Sequence, residues 1–505
     1  MRDALGRPDV RIAALLGICA ALGYLPFYHG YLKGTDEVGV FEITQALFQD
    51  GSLAIPPITH TAPGPDGRSY SFFNVGQPIL ALPFYAMGRL AEVALPTAAV
   101  RALAGTHIEQ GPIRWGGSVE IFFVGLYAPV ATGVLVALFF LFERRLGVSR
   151  RHALLSAILL ATATYVAMMS LFFLRHTTEA IAILGALYYL YDWRETGSHR
   201  SAALGSLLGS FTLLVREPSA IAGVSLAAYA LWVLRKTRGT ALARALAALA
   251  LPCIAVFALH MAANHARWGT WLASPMLAQS EGFSTPFYVG AWGLLLSPGS
   301  SLFVYSPLLL LAPWTVPPFW RAHRAECATV LGICVSLLLL SSKFDLWTGL
   351  WSSPGPRMLF AAVPLLMLPL GCWLDAGLGR AQWGCVVLLA VAGAVVQLLL
   401  MLASWPVVID AMDYHRFDPG KAFVFLPQYS PLIGSARVIA DGHVDAWLWR
   451  LWTGWPGQPG SALAPLVMLG IWGLVFAGAL ARLWRAVRAP ALGRDPAPDR
   501  ERSAA

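Results

Sequence analysis

The segment Ile12–Tyr31 reads IAALLGICAALGYLPFYHGY, contains no Asp, Glu, Lys or Arg, and is followed at once by Leu32-Lys33-Gly34-Thr35-Asp36-Glu37. An apolar run of this length is enough helix to cross the hydrocarbon core of a membrane, which is about 30 Å thick. The residues in front of it are charged and lack a convincing small-residue cleavage site. The segment therefore predicts a first transmembrane helix that acts as an uncleaved signal anchor.

The rest of the chain repeats this pattern of apolar runs separated by polar loops. Of its 505 residues, 57% are hydrophobic and 12% are charged, whereas a soluble globular protein carries about 25% charged residues. The runs are continuous rather than alternating, which indicates helices and not a β-barrel. We therefore expect an all-α polytopic membrane protein with about twelve transmembrane helices: Ile12–Tyr31, Val119–Phe142, Ala153–Phe173, Thr178–Tyr191, Ala202–Val215, Pro218–Leu234, Ala243–Ala263, Leu302–Trp320, Cys327–Ser341, Met358–Leu374, Trp383–Ala403 and Leu463–Trp484.

The basic residues test this arrangement, because Lys and Arg concentrate in the cytoplasmic loops of membrane proteins. With twelve spans, the main basic clusters and both termini fall on the cytoplasmic side. Counting Gln77–Leu90 as a further span would break this agreement, so we interpret it as a helix at the membrane interface. The net charge of +9 comes from these clusters and does not indicate a nucleic-acid partner.

The long loops then all lie on the opposite, outer face, which is where the chemistry is expected. They are rich in Gly, Pro, Trp and polar residues. The predicted organisation is a transmembrane core with a long first outer loop carrying interfacial helices, an outer segment, a last transmembrane helix and a disordered cytoplasmic tail: residues 1–403 with loop 33–118, then 404–461, 462–484 and 485–505.

Asp36 and Glu37 open the first outer loop at the membrane surface and are the candidate catalytic residues. A carboxylate in a partly dry pocket can act as a general base toward a hydroxyl group. The alternative is structural, since Thr35 or Asp36 is suited to cap the short amphipathic helix that follows. The residue pattern leaves both roles open.

Further polar residues stand at the predicted outer ends of the spans and are candidates for binding substrate or phosphate. Arg357 begins a span on its outer side, where a guanidinium group needs an anion such as phosphate. The structural alternatives are salt-bridged turns and side chains that anchor at the interface. No cysteine or histidine spacing indicates a metal site. The full set is Arg357, Arg216, Lys343, Arg175, His176, Glu179, Asn264 and His265.

These motifs resemble those of the GT-C glycosyltransferases, in particular the branch containing the lipid A aminoarabinose transferases and the protein O-mannosyltransferases. The signature after the first span is Gly34-Thr35-Asp36-Glu37, and the second interfacial helix is similar to Val75–Tyr85. Segments 264–269, 293–299, 302–307 and 355–357 resemble a bacterial subgroup of the same superfamily. The similarity runs over most of the chain.

The resemblance implies an inverting transfer of a sugar from a polyprenyl-phosphate donor to a hydroxyl of a glycan, lipid or protein acceptor. Asp36, helped or replaced by Glu37, would deprotonate that hydroxyl. Arg357, with Arg216 or Lys343, would steady the departing phosphate. It also implies a site on the periplasmic face of a bacterial inner membrane and no cofactor or metal.

One position departs from the family pattern, because many relatives carry a cation near the start of the second interfacial helix. Ser71-Phe72-Phe73-Asn74 provides none here, and Arg68 is the nearest cation. Two other functions use the same side chains, namely a transporter or flippase of a lipid-linked sugar and a non-catalytic protein of envelope assembly. A transporter predicts inverted repeats, and the sequence shows no convincing repeat.

Overall fold

The computed structural model describes residues 7–104, 109–110, 113–114, 117–272, 282–414, 423–454 and 463–488. Regular structure in these ranges is almost entirely helical, as predicted. The strands form two short antiparallel hairpins, β1 with β2 and β3 with β4: Thr61–Pro63, Ser69–Ser71, Glu109–Gln110 and Ile113–Arg114. Both hairpins lie in the long loop that follows the first predicted span.

The first half of the chain forms helices α1 to α12. Their bounds are, in order, Arg7–Tyr24, Thr35–Gln49, Gly76–Ala94, Thr97–Ala104, Val119–Gly125, Tyr127–Arg145, Arg150–Ala163, Val166–Met169, His176–Thr196, His199–Val215, Ala222–Leu234 and Gly239–Trp268. Two 3₁₀ turns extend this set, Leu25–Phe27 after α1 and Glu217–Ile221 before α11.

The second half forms helices α13 to α22. Their bounds are Phe287–Leu296, Leu302–Tyr305, Ala312–Ala322, Arg324–Lys343, Ala362–Asp375, Arg380–Leu402, Trp405–Ala411, Pro431–Ala440, Trp447–Thr453 and Leu463–Arg488. The 3₁₀ turns in this half are Pro307–Leu311, Arg357–Leu359, Phe423–Phe425 and Pro427–Tyr429.

Each predicted apolar segment coincides with a helix or with consecutive helices. Seven segments of the described chain are long and apolar enough to cross a membrane, judged by length and composition: Pro8–Phe27, Val119–Arg145, Glu217–Leu234, Gly239–Trp268, Arg324–Lys343, Arg380–Leu402 and Leu463–Arg488. The chain is therefore an all-α polytopic membrane protein. Helix α22 continues to Arg488, into the predicted tail, and residues 489–505 lie outside the described part.

The other predicted spans fall on shorter or more polar helices, so the number of about twelve stays a prediction. Helices α7 and α17 have 14 residues each, or about 21 Å of helix, which is less than the roughly 30 Å of a hydrocarbon core. In α7 the regular helix ends at Ala163, although the apolar sequence continues to Phe173. A hydropathy profile depends on side chains alone, so a predicted span can continue where the backbone is no longer a regular helix.

Two glycines allow α1 and α6 to pack closely. A Cβ atom on Gly17 would lie 2.7 Å from the carbonyl oxygen of Gly133, and a Cβ on Gly133 would clash with the carbonyl oxygen of Gly17. Larger side chains would force the two backbones apart, so small residues at the crossing are required. The close approach fixes α1, and with it the start of the loop that carries Asp36.

Ion pairs join the helix ends on one side of the bundle. Asp9 of α1 lies 3.2 Å from Arg144 and 3.0 Å from Arg150, at the ends of α6 and α7. Arg194 of α9 pairs with Glu326 at the start of α16. The N-terminus of α9 lies at the opposite end of that helix, so the residues around it are separated from these clusters by the length of α9.

The chain after α18 packs on the stretch between α1 and α2 through buried charges. A carboxylate oxygen of Asp445 accepts the Tyr31 hydroxyl at 2.6 Å, and the other lies 3.3 Å from the Arg450 guanidinium. Arg450 also donates to the carbonyl oxygen of His29, whose ring lies 2.8 Å from the Lys33 ammonium. All five residues are buried. The hydrogen bonds and the ion pair within this buried group connect the two segments.

Replacing Asp445 with Ala should destabilise the protein by about 3 kcal/mol, because the Arg450 guanidinium would be left buried without its carboxylate. Thermal or denaturant unfolding of the purified protein in detergent measures the change. Asp441→Ala is the matched control, since Asp441 is exposed at the start of the same loop, directly after α20. Equal stability of both variants would contradict a role for the buried pair.

Candidate active site

Asp36 lies in the first turn of α2 and forms an ion pair with Arg357. The Arg357 Nη1 atom donates to Asp36 Oδ2 at 2.8 Å, and the two side chains are 8% and 12% exposed. Gly34 brings the two segments together, because a Cβ atom there would lie 3.1 Å from the Cα of Ser352. The N-cap of α2 is Gly34, with no side-chain hydrogen bond. The predicted capping role of Thr35 or Asp36 is therefore wrong.

The second oxygen of Asp36 faces His60, which lies in the loop before β1. The distance from Asp36 Oδ1 to His60 Nε2 is 3.6 Å, and the His60 side chain is 36% exposed. Burial raises the pKa of Asp36, but the positive charges of Arg357, His60 and Arg175 together outweigh burial and hold that pKa below its ordinary value. Asp36 is therefore an ionised carboxylate at neutral pH, and its Oδ1 atom faces the partly exposed His60 side chain.

The Glu37 side chain is oriented differently from that of Asp36. Its Oε1 accepts the backbone N–H of Phe173 at 2.5 Å, and its Oε2 accepts the backbone N–H of Lys33. Burial raises the pKa of Glu37 to about 7, against the opposing effect of these hydrogen bonds and of the Lys33 ammonium. Both oxygens are used to hold α2 against residues 33 and 173, and the side chain is 1% exposed.

Arg175 stands immediately before α9 with its guanidinium carbon 4.2 Å from the centroid of the Phe73 ring. It is 4% exposed, and the described part of the chain gives it no hydrogen bond or ion pair. Burial lowers its pKa to about 10, while the Asp36 carboxylate opposes that effect. A cation–π contact stabilises the charge without neutralising it. Arg175 therefore places an unneutralised positive charge beside the Asp36–Arg357 pair.

Arg216 and Glu179 form a second ion pair near the same place. Arg216 Nη1 lies 3.5 Å from Glu179 Oε1, and the Ser219 hydroxyl donates to that oxygen at 2.5 Å. Arg216 Nη2 lies 3.0 Å from the sulfur of Met358, the residue after Arg357. His176, in the first turn of α9, is 3% exposed. The structure thus brings together six of the predicted residues: Asp36, Arg357, Arg175, Arg216, Glu179 and His176.

The three other predicted binding residues are placed elsewhere. Asn264 bonds within α12, with its Nδ2 3.1 Å from the His260 ring and its Oδ1 accepting from Arg267 at 2.8 Å. His265 is exposed and stacks on Trp271 with ring centroids 4.3 Å apart. Lys343 is half-buried at the end of α16, and no side-chain contact with the cluster is found in the described residues.

Two residues that contact the site, His60 and Arg267, are not among the predicted catalytic or binding residues. His60 stands in an irregular loop, far from Asp36 in sequence, and adopts a positive φ of 65°. Arg267 donates to the carbonyl oxygens of Phe73 at 2.8 Å and Ser71 at 3.2 Å, and so fixes the ring beneath Arg175. Arg68, the nearest cation to the second interfacial helix, is exposed and pairs with Asp66 at 3.8 Å.

Among the residues that the structure describes, no group of three or more His, Cys, Asp and Glu side chains is placed to hold a metal ion. The expectation that no metal is required therefore stays a prediction.

Comparisons with known proteins give similar structures but no sequence relative. No family model and no curated protein matches the chain. ArnT from Cupriavidus metallidurans, in a structure with undecaprenyl phosphate, has 14% identity and a TM-score of 0.46, over 93% of this chain and 72% of ArnT. The archaeal oligosaccharyltransferase AglB from Archaeoglobus fulgidus, with an inhibitory peptide and a dolichol-phosphate, has 12% identity and a TM-score of 0.42, over 95% of this chain and 55% of AglB.

Both neighbours are enzymes of the GT-C superfamily, which the sequence motifs resemble.

The raised pKa of Glu37 predicts a pH-dependent contribution to stability. A carboxyl group whose folded pKa is raised to about 7 stabilises the fold fully below its ordinary pKa, and this contribution is lost as the pH rises toward 7. Across this range Asp36 is ionised and Lys33, whose pKa burial lowers to about 8, is charged. The stability of the wild type relative to Glu37→Gln should therefore fall by roughly 1 kcal/mol per pH unit between about pH 5 and pH 7.

Unfolding in detergent across this range measures that difference. Asp50→Asn is the control, because Asp50 is exposed immediately after the other end of α2. A stability difference that does not change with pH would contradict the burial of an ionisable Glu37.

Proposed function

We propose that this protein is an integral membrane glycosyltransferase that moves a sugar from a polyprenyl-phosphate donor to an acceptor hydroxyl, with inversion. The observation that carries the proposal is the Asp36–Arg357 ion pair, with the unneutralised Arg175 beside it. Such a site holds both a carboxylate that accepts a proton and guanidinium groups that bind an anion. Transfer from a glycosyl phosphate to a hydroxyl needs these two functions next to each other.

The donor phosphate is proposed to bind between Arg175 and Arg357. Among the described residues, Arg175 has its aromatic contact but no anionic partner, and Arg357 forms its ion pair with Asp36. The first backbone N–H groups of α9 have no acceptor within the helix, and the helix dipole favours an anion at this end. Guanidinium groups bind phosphate oxygens bidentately. Arg216 already forms an ion pair with Glu179, so it is a weaker candidate for binding the phosphate.

Asp36 rather than Glu37 is proposed as the general base. Both oxygens of Glu37 accept backbone N–H groups in the interior, whereas Asp36 Oδ1 faces the more exposed His60. A phosphate that draws the charge of Arg357 and Arg175 to itself would raise the pKa of Asp36, because those two charges hold it down. Donor binding would thus strengthen the base at the moment when it is needed.

The proposed step is a single displacement at the anomeric carbon. Asp36 takes the proton of the acceptor hydroxyl as that oxygen bonds to the anomeric carbon. The bond between this carbon and the phosphate oxygen breaks, and its electron pair leaves with the polyprenyl phosphate. Arg175 and Arg357 stabilise the charge that develops on the phosphate. Attack from the side opposite the leaving group inverts the configuration, and the acceptor is a glycan, lipid or protein hydroxyl.

The proposed orientation follows from the two ends of the bundle. The ends joined by Asp9, Arg144, Arg150 and Arg194 carry most of the basic residues of the helix connections, which is typical of the cytoplasmic side. The candidate active site lies at the other end of α9. This supports a site on the periplasmic face of a bacterial inner membrane, with both termini in the cytoplasm.

Asp36→Asn should lower the rate of sugar transfer by roughly a thousandfold, because loss of a positioned general base costs about 10²–10⁴ in rate. The assay follows release of undecaprenyl phosphate from the glycosylated carrier lipids of membranes that contain the protein. Asp50→Asn, at the far and exposed end of α2, should leave the rate unchanged. Full activity of Asp36→Asn would overturn the proposed mechanism, and movement of carrier lipid without transfer would favour a flippase.

Arg175→Gln should weaken the binding of bare undecaprenyl phosphate about tenfold or more, because a charge-assisted contact with the phosphate is lost. Binding is measured on the full-length protein by native mass spectrometry. Arg68→Gln is the matched control, since Arg68 is exposed and pairs with Asp66 away from the cluster. Equal binding by the wild type and Arg175→Gln would exclude Arg175 from the phosphate site.

A further inference from the structure

His176 is buried beside the proposed phosphate site, yet neither of its ring nitrogens has a hydrogen-bond partner among the described residues. Glu179 follows one turn later on the same face of α9. Its Oε1 accepts from Ser219 and Arg216, while its Oε2 also lacks a partner in the described part of the chain. The two side chains thus present three polar atoms without protein partners at one place.

Atoms of this kind point to a ligand, because buried polar groups in folded proteins are nearly always paired. Leaving such a group unpaired destabilises the folded protein. Glu179 Oε1 lies 3.5 Å from the Arg216 guanidinium, and the positive charge of Arg216 also lowers the pKa of the His176 imidazole. The unpaired atoms of His176 and Glu179 are therefore the candidate contacts of a binding subsite.

The charge state of the His176 imidazole limits which chemical groups can bind to it. Burial lowers the pKa of His176 well below its ordinary value, and the charges of Arg216, Arg357 and Arg175 lower it further. A neutral imidazole has one N–H donor and one acceptor nitrogen. Glu179 Oε2 adds a second acceptor. The subsite therefore offers one donor and two acceptors.

Among common ligand groups, hydroxyls fit this set best. A hydroxyl both donates and accepts, so it satisfies either nitrogen of His176 and also Glu179 Oε2. An ionised phosphate only accepts, and it would be repelled by the Glu179 carboxylate. Two or more hydroxyls on one ligand would satisfy all three atoms together, which is the chemistry of a sugar.

We propose that His176 and Glu179 bind hydroxyl groups of the sugar carried by the donor and so determine which sugar is transferred. This inference rests on the proposed function. Arg175 precedes α9 and His176 lies in its first turn, so a phosphate bound at this end of the helix would have its attached sugar near the same turn. Arg216 and Ser219 then hold the Glu179 carboxylate in position.

The experiment compares bare undecaprenyl phosphate with undecaprenyl-phosphoryl glucose, galactose and mannose. Binding to the purified full-length protein is measured by native mass spectrometry for the wild type, His176→Phe and His176→Gln. We expect at least one glycosylated carrier to bind the wild type about tenfold more tightly than the bare carrier, since each 1.4 kcal/mol is tenfold in affinity. His176→Phe should remove this gain and leave bare-carrier binding unchanged.

His176→Gln should restore part of the gain, because an amide keeps one donor and one acceptor. It also serves as the test if His176→Phe does not fold. His199→Phe is the control, since His199 begins α10 at the opposite end of α9. Thermal unfolding confirms that each variant is folded.

The outcomes separate this inference from the function on which it rests. The inference is overturned if no glycosylated carrier binds the wild type more tightly than the bare carrier. It is equally overturned if the gain survives in His176→Phe, or if that variant weakens both kinds of carrier alike. Failure of the wild type to bind bare undecaprenyl phosphate would instead count against the proposed function itself.

Discussion

The ion pair between Asp36 and Arg357 connects parts of the chain that are 321 residues apart, and most of the candidate active site depends on it. Two opposite charges can be withdrawn from water only when their geometry is good and their remaining polar atoms are satisfied. The pair therefore requires the start of α2 to lie against the 3₁₀ turn before α17. Gly34 permits this approach beside Ser352, and the two backbone N–H groups bound by Glu37 hold α2 in place.

Contacts farther from the site hold the Asp36–Arg357 pair in position. The buried residues Lys33, His29 and Asp445 connect the loop before α2 to the chain after α18. On another side, Arg267 of α12 fixes the backbone of Phe73, whose ring contacts Arg175. The acidic and basic groups of the site are thus positioned by elements from the beginning, middle and end of the chain. Rigidity of this kind is what electrostatic catalysis requires, because dipoles and charges must be in place before the reaction.

The sequence predicted the helical class, the position of each apolar segment and six of the residues that meet at the site, because hydropathy and terminal charge are local properties of the chain. It did not predict His60, Phe73 or Arg267, whose roles depend on contacts across loops without periodicity. It also included Lys343, Asn264 and His265, which satisfy the same pattern but face other surroundings. Residue type and position at a helix end cannot distinguish Arg216, which pairs with Glu179, from Arg175, whose guanidinium stacks on the Phe73 ring.

The contact between Arg175 and the Phe73 ring has a consequence for selectivity. An aromatic ring does not cancel the charge of the guanidinium, so a phosphate group that reached this buried side chain would be attracted whatever lipid carried it. Charge alone would therefore not distinguish a glycosylated carrier from another lipid phosphate, and selection between them would have to come from contacts with the rest of the ligand.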